Sequence, residues 1–265
     1  VQTCALPIWK KLYVSNQNHL AEEKVRNQVV MNAQDELEDL YCMTINKNSR
    51  FYHGEGPDNA LDFKEQILHN FLEKDSLKTS GCYLSPKIIR DLCKAKLNIT
   101  AANERPLTSK ELRDIPSELI FNIANNIHQI LFDNRATLTK EERQLFNEVF
   151  NSCLVSSICT ILKIDYVNFT CKDGIDRGMN SLAMFISMAT FIRDMNESPK
   201  AKRMLIDTLF TRAYWARKRS IMGERFHNFK HSCKYLDELL STPEKAEQFK
   251  AFLHRIIGVV EINRA

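Results

Sequence analysis

The spacing of apolar and polar residues along the chain predicts many helices and only a few short strands. Long segments carry apolar residues three and four positions apart, which is the spacing of one helix face. Thr139, and Ser198 with a proline after it, are typical residues at the start of a helix. Helices are predicted over about 19–45, 62–74, 86–96, 108–132 with a break at Pro116, 139–162, 177–195, from 199 onward, and 243–258. Strands are predicted at 12–14 and 164–169, which are rich in β-branched and aromatic residues.

One short segment joins the second predicted strand to the helix that follows it. Cys171 and Arg177 stand six positions apart in this segment, and Gly174 lies between them, where a positive φ is cheap. The backbone N–H groups of such a loop, with a helix N-terminus behind them, can bind an anion and favour a thiolate at Cys171. Arg177 would enter from the first helical turn and hold two phosphate oxygens at once. The segment therefore predicts a compact phosphate-binding loop.

The cysteine–arginine spacing is a weak signal when it is taken alone. With eight cysteines in the chain, roughly half a chance match is expected. Among these cysteines only Cys171 is followed by arginine at the sixth position, and only Cys171 has the strand before it and the amphipathic helix after it. The alternative is a buried structural cysteine in front of a helix that Asp173 caps.

The segment TCKDGIDRG, residues 170–178, resembles the active-site loop of cysteine-dependent phosphatases, in which a cysteine and an arginine flank five residues. It looks most like the phosphoinositide phosphatases that Legionella-type bacteria inject into host cells. Its Cys-Lys opening is similar to that of the inositide-phosphatase effectors of enteric pathogens, and its Asp-Arg ending to that of the Sac-type phosphatases. The resemblance covers about residues 164–190. It departs at Gly178, where many members have Ser or Thr, and at Thr170, where tyrosine phosphatases have His; no Trp-Pro-Asp loop occurs in the chain.

The resemblance implies an enzyme that removes a phosphate, expected to be the 3-phosphate, from a phosphoinositide. Cys171 would attack the phosphorus and form a phosphocysteine intermediate. Arg177 and the loop N–H groups would stabilise the charge on the equatorial oxygens. Asp176 is the expected general acid for the leaving hydroxyl, and Asp173 is the second candidate.

The remaining loop residues are expected to bind the substrate. Lys172 would meet a second phosphate on the inositol ring, and Asp173, Gly174 and Ile175 would line the phosphate site. This mechanism needs no metal and no other cofactor. Two other functions fit the same loop: a protein phosphatase of the dual-specificity kind, and an anion-binding module whose catalytic loop has decayed, which the glycine at position 178 keeps open.

The most basic part of the chain follows the helix of this loop. Residues 198–234 hold ten Lys and Arg against two acidic residues, so this stretch carries +8, whereas the whole chain carries +4 and its remainder −4. We expect Arg217, Lys218 and Arg219, which lie among aromatic residues, to bind the substrate at an anionic membrane surface. A nucleic-acid surface or an ordinary solvated helix face would have the same composition, but we expect no nucleic-acid partner.

Length and composition favour one α+β domain. With 265 residues, 44% of them hydrophobic, and only seven glycines, we expect a mostly helical fold in which a small central sheet presents the cysteine loop. Eight cysteines without a Cys-x-x-Cys pair indicate a reducing compartment. No apolar run of transmembrane length and no signal peptide is predicted. The resemblance implies secretion by a bacterium into the host cytoplasm and peripheral attachment to host membranes.

The first eight residues are set apart from this expected domain. Residues 1–8 look like the translation of a sequencing-adapter oligonucleotide, and the chain does not begin with methionine. We therefore expect residues 9–265 to form a single catalytic phosphatase domain that lacks part of its N-terminus.

Overall fold

The computed structural model describes residues 9–17, 23–73, 80–100, 108, 110–171, 174–193 and 198–257, and within them it is mostly helical with one small mixed sheet. This confirms the expected α+β class. The strands are β1 (Lys11–Ser15), β2 (Leu40–Thr44), β3 (Tyr83–Leu84) and β4 (Tyr166–Thr170). The helices are α1 (Lys24–Glu36), α2 (Ala60–Leu72), α3 (Pro86–Thr100), α4 (Glu111–Phe132), α5 (Lys140–Leu162), α6 (Asp176–Ile192), α7 (Pro199–Ile206), α8 (Arg212–Arg217), α9 (Gly223–Leu239) and α10 (Pro243–Ile257), with a π-helical turn (Asp207–Thr211) between α7 and α8.

The sheet places the carboxyl ends of three parallel strands at one edge. Its strand order is β3-β2-β1-β4; β1 pairs in parallel with both β2 and β4, and β3 is antiparallel to β2. Helix α1, which follows β1, covers one face, where Ser15 contacts Asn27. Helix α6, which follows β4, covers the other face, where the rings of Phe169 and Phe185 lie 5.5 Å apart. The helices that follow β1 and β4 thus lie on opposite faces of the sheet, and the crevice at the carboxyl ends of these two strands is the usual place for a ligand in such sheets.

Helix α5 lies at the centre of the hydrophobic core. Thr139 and Glu142 form a capping box at its start, as the sequence predicts. Contrary to the expectation that no apolar run reaches transmembrane length, this helix is long and apolar enough by composition to cross a membrane, but 89% of its most apolar window is buried inside the protein. Its side chains Phe146 and Phe150 are fully buried. Burial against the surrounding helices therefore accounts for this apolar run.

The prediction of one helix over residues 19–45 is wrong beyond its first part. Helix α1 ends at Glu36, and Leu40–Thr44 is strand β2. Residues of β2 are buried on both faces of the sheet, so they lack the alternation by which a half-buried strand is recognised. The break expected at Pro116 is also absent, because this proline lies in the second turn of the continuous helix α4. Pro116 lacks an N–H and so removes one hydrogen bond of this helix, but the helix continues past it because its later apolar residues, among them Ile120, Ile123 and Ile127, are buried in the core.

Candidate functional site

Strand β4 delivers Cys171 to the crevice at the carboxyl edge of the sheet. Cys171 follows the last residue of β4 and is 5% exposed. The neighbouring strand holds this end in place: the N–H of Asn16 donates to the carbonyl of Thr170 over 2.7 Å, and the hydroxyl of Ser181 on α6 donates to the Asn16 side chain over 2.9 Å. Strand, loop and helix are therefore fixed to one another at the position that the sequence predicts for the nucleophile.

The loop between Cys171 and α6 turns at a glycine with a positive φ. Gly174 has a φ of 65°, which costs glycine little, and its N–H donates to the carbonyl of Cys171 over 3.1 Å. Ile175 is fully buried, so its side chain anchors the loop, while its expected contact with the substrate stays a prediction. Lys172 and Asp173, which the sequence assigns to substrate binding, lie outside the described residues.

Gly178 lies in close contact with the end of strand β4. A Cβ added at this position would stand 3.0 Å from the carbonyl oxygen of Phe169 and 3.1 Å from the Cα of Thr170. Both neighbours are backbone atoms, which have little freedom to move away. The departure from the phosphatase pattern at this position thus has a packing reason, since any larger residue would push α6 away from β4.

Arg177 is held by a carboxylate from the other side of the crevice. Its two Nη atoms donate to the two carboxylate oxygens of Glu23, over 3.0 and 2.5 Å. The side chains are only 11% and 15% exposed, and such two-point pairs fix the plane of the guanidinium. The pair joins the segment before α1 to the first turn of α6. Nothing in the sequence pattern around Glu23 indicated this partner, which lies 154 positions away along the chain.

Asp176, the expected general acid, is engaged in a second two-point ion pair. Arg219 donates to its carboxylate oxygens over 3.0 and 2.7 Å, and the N–H of Met222 donates over 2.9 Å. Burial by itself would raise the pKa of Asp176, but these hydrogen bonds and the positive charges of Arg219 and Arg225 outweigh it and lower the pKa below its usual value. The carboxylate is therefore ionised near neutral pH and anchors the segment after α8, while its part as a proton donor stays a prediction.

The three cations predicted to bind substrate have different surroundings. Arg219 forms the ion pair with Asp176 described above. Lys218 lies over two aromatic rings, with its Nζ 5.5 Å from the Tyr214 centroid and 5.3 Å from the Trp215 centroid. Arg217 is exposed at the end of α8. The structure thus brings only Arg219 to the first turn of α6.

Two other arginines lie near the loop and were not among the predicted site residues. The Nη1 atom of Arg212 is 3.9 Å from the position that a Cβ on Gly174 would take. No hydrogen bond or ion pair of Arg212 is found among the described residues. Arg225 donates to the carbonyl of Lys47 and to the side chain of Asn48, over 3.1 and 2.7 Å. Both belong to the basic stretch of the sequence, but its composition could not tell which of its cations reach the loop.

Four of the other described cysteines have environments that suppress thiolate formation. Burial raises the pKa of the Cys82 thiol to about 11 and those of Cys42, Cys159 and Cys233 to about 12. None of the four lies at a strand-to-helix loop at the crevice. Within the part of the chain that the structure describes, no cluster of three or more His, Cys, Asp and Glu residues is arranged to hold a metal ion.

The comparisons with known proteins found no relative: the chain matches no family model, no curated protein and no solved structure.

Proposed function

We propose that this chain is a cysteine-dependent phosphatase that hydrolyses a phosphate monoester of a phosphoinositide, with the 3-phosphate as the expected target. The observation that carries the proposal is the placement of Cys171 and Arg177 on the two sides of one short loop. This loop lies in the crevice at the carboxyl ends of β1 and β4, the two strands that lead to helices on opposite faces of the sheet. A helix N-terminus, an arginine and a cysteine at such a crevice form a site suited to a phosphate group.

The proposed reaction has two steps at phosphorus. The Cys171 thiolate attacks the phosphorus, an S–P bond forms, and the bond from phosphorus to the inositol oxygen breaks. The leaving oxygen takes up a proton, for which Asp176 is the expected donor. Water then attacks the phosphocysteine, which releases inorganic phosphate and restores the thiolate. For Asp176 to donate, its pair with Arg219 must open when substrate binds, because the pair stabilises the ionised carboxylate.

Arg177 keeps donors for the substrate although it is paired with Glu23. A guanidinium has five N–H donors, and two of them bind the carboxylate, which leaves three. Because Glu23 fixes the plane of the group, the remaining donors are oriented before substrate arrives. Preorganised donors of this kind stabilise the charge that develops on the transferred phosphoryl group.

Arg212 is suited to a second phosphate on the same substrate. Its guanidinium lies near Gly174 and is exposed to solvent. A phosphate that binds there keeps most of its hydration, so the desolvation cost of binding is small. This position supports an inositide with more than one phosphate over a simple monoester. Arg212→Gln should therefore raise KM for a short-chain bisphosphate by roughly fivefold, which corresponds to about 1 kcal/mol, and should change turnover of a monophosphate little. The matched control is Arg203→Gln, since Arg203 on α7 pairs with Asp207 on the surface.

The test of the function is phosphate release from a panel of short-chain phosphoinositide isomers. Cys171→Ser should reduce release to background, and Arg177→Ala should reduce it by at least about a hundredfold, while circular dichroism shows an intact fold. Cys233→Ser is the matched control, because Cys233 is a half-buried thiol on α9 with no place in the loop. Full turnover in folded Cys171→Ser protein would refute the cysteine mechanism.

The same panel separates the two alternative functions. Turnover of a phosphotyrosine peptide in preference to every inositide would identify a protein phosphatase. Binding of inositides without any release of phosphate by the unaltered protein would identify an anion-binding module whose catalytic loop has decayed.

A further inference from the structure

Two large aromatic side chains are exposed to solvent on α8, the short helix next to the candidate site. Tyr214 and Trp215 on α8 are 61% and 70% exposed, although tryptophan is among the most buried residues on average. Their rings meet edge to face with centroids 6.2 Å apart. Lys218 lies over both rings. We call these three residues the aromatic tip. An exposed apolar surface of this kind indicates a contact site.

The composition around the aromatic tip favours a lipid surface over other partners. Residues 212–225 contain five Lys and Arg and a single acid, so the segment is attracted to anions. Tyrosine and tryptophan with neighbouring Lys or Arg are typical of the headgroup level of membranes, where one end of each side chain is apolar and the other is hydrated. Met222 and Ile206 of the same basic stretch are 51% and 53% exposed. Aliphatic side chains gain by entering lipid, whereas stacking on nucleic-acid bases uses aromatic rings.

The aromatic tip is connected to the catalytic loop at two points. Arg219, which follows the tip directly, is tied to Asp176 in the first turn of α6. Arg212, at the start of the same helix as the tip, reaches Gly174 in the loop. The segment that carries the tip is thus fixed against the segment that carries Cys171 and Arg177.

We propose that Tyr214 and Trp215 insert into the headgroup region of an anionic bilayer while Lys218 and Arg217 bind lipid phosphates. This interaction presents the loop of Cys171 to headgroups in the plane of the membrane; only this last consequence rests on the proposed phosphatase function. The apolar part of the binding does not depend on salt, whereas the cationic part weakens as salt rises.

The chain offers a direct optical test, because it contains two tryptophans. Trp9→Phe leaves Trp215 as the sole tryptophan, and its emission should shift to the blue and be quenched by brominated lipids when vesicles of phosphatidylcholine with 30% phosphatidylserine are added. Trp215→Phe is the matched control, since it leaves Trp9, which stacks on Tyr166 at 4.7 Å; its emission should not change. Unchanged Trp215 emission with anionic vesicles would overturn the proposal.

Binding measurements separate the apolar and cationic parts. Trp215→Ala should weaken vesicle binding by at least about tenfold at every salt concentration. The double variant Arg217→Gln, Lys218→Gln should weaken it strongly only at low salt. Turnover of a soluble short-chain inositide should stay unchanged in Trp215→Ala protein.

The outcomes also distinguish this inference from the proposed function. Insertion of Trp215 without any phosphatase activity would support the aromatic tip and count against the phosphatase. If the protein is an active phosphatase but Trp215→Ala and unaltered protein bind vesicles equally, the proposed membrane insertion of the aromatic tip is refuted and the phosphatase proposal is not affected. A Trp215 emission change on addition of single-stranded oligonucleotide, but not of vesicles, would also overturn it.

Discussion

Gly178→Ala tests how closely the first turn of α6 must lie against strand β4. The added Cβ would stand 3.0 Å from the Phe169 carbonyl oxygen and 3.1 Å from the Thr170 Cα, so helix and strand must separate by a few tenths of an ångström. Overpacking of this kind costs about 1–3 kcal/mol. We expect the upper part of this range, because the atoms in contact belong to the backbone of a paired strand.

The matched control for this substitution is Gly223→Ala at the start of α9. A Cβ added there would meet nothing within 4 Å. Both glycines lie in the first turn of a helix, so the gain from replacing glycine by alanine, up to about 1 kcal/mol, is similar in the two variants. The difference in unfolding free energy between the variants therefore isolates the overpacking cost, which we expect to be about 2–3 kcal/mol.

Urea unfolding followed by circular dichroism measures this difference, and in a thermal scan it corresponds to a gap of roughly 4–12 °C between the two midpoints. Gly178→Ala should also lower phosphatase turnover, because separation of β4 from α6 moves Cys171 relative to Arg177. Equal stability of the two variants would refute the reasoning. In that case the glycine is not required by packing, and its presence would again favour a decayed catalytic loop.

Three further predictions concern the ion pairs and the thiol of the site. Glu23→Gln should lower kcat/KM by about tenfold to a hundredfold by releasing Arg177, with partial recovery in Glu23→Asp; unchanged kcat/KM would exclude a positioning role. Asp176→Asn should destabilise the fold at pH 7. Because the folded-state pKa of Asp176 is lowered, the stabilisation by its carboxylate is present above the unfolded pKa of about 3.9 and disappears as pH falls through the lower folded pKa. A stability difference between the variant and the unaltered protein that stays constant down to pH 2 would contradict this. Iodoacetamide should label Cys171 faster than Cys42, whose pKa burial raises to about 12, and vanadate should protect it; equal labelling of the two thiols would contradict an activated nucleophile.

The local elements of the site can be predicted from short stretches of the chain. The strand-like run before Cys171 and the apolar spacing after Arg177 predicted β4 and α6 to within a few residues. Thr139 and Ser198 marked two helix starts correctly, since a capping residue acts on backbone groups only two or three positions away. These features depend on short stretches of chain, so a single sequence contains the information they need.

The partners of the site residues depend on how distant segments of the chain pack together. Glu23 meets Arg177 from 154 positions away, and Arg219 meets Asp176 from 43 positions away. Strand β2 could not be recognised from its pattern because it is buried on both faces. The crevice forms because β1 pairs with β2 on one side and with β4 on the other. Which charged groups meet is determined by how the strands and helices pack, and the spacing of residues along the chain does not encode that arrangement in any local pattern.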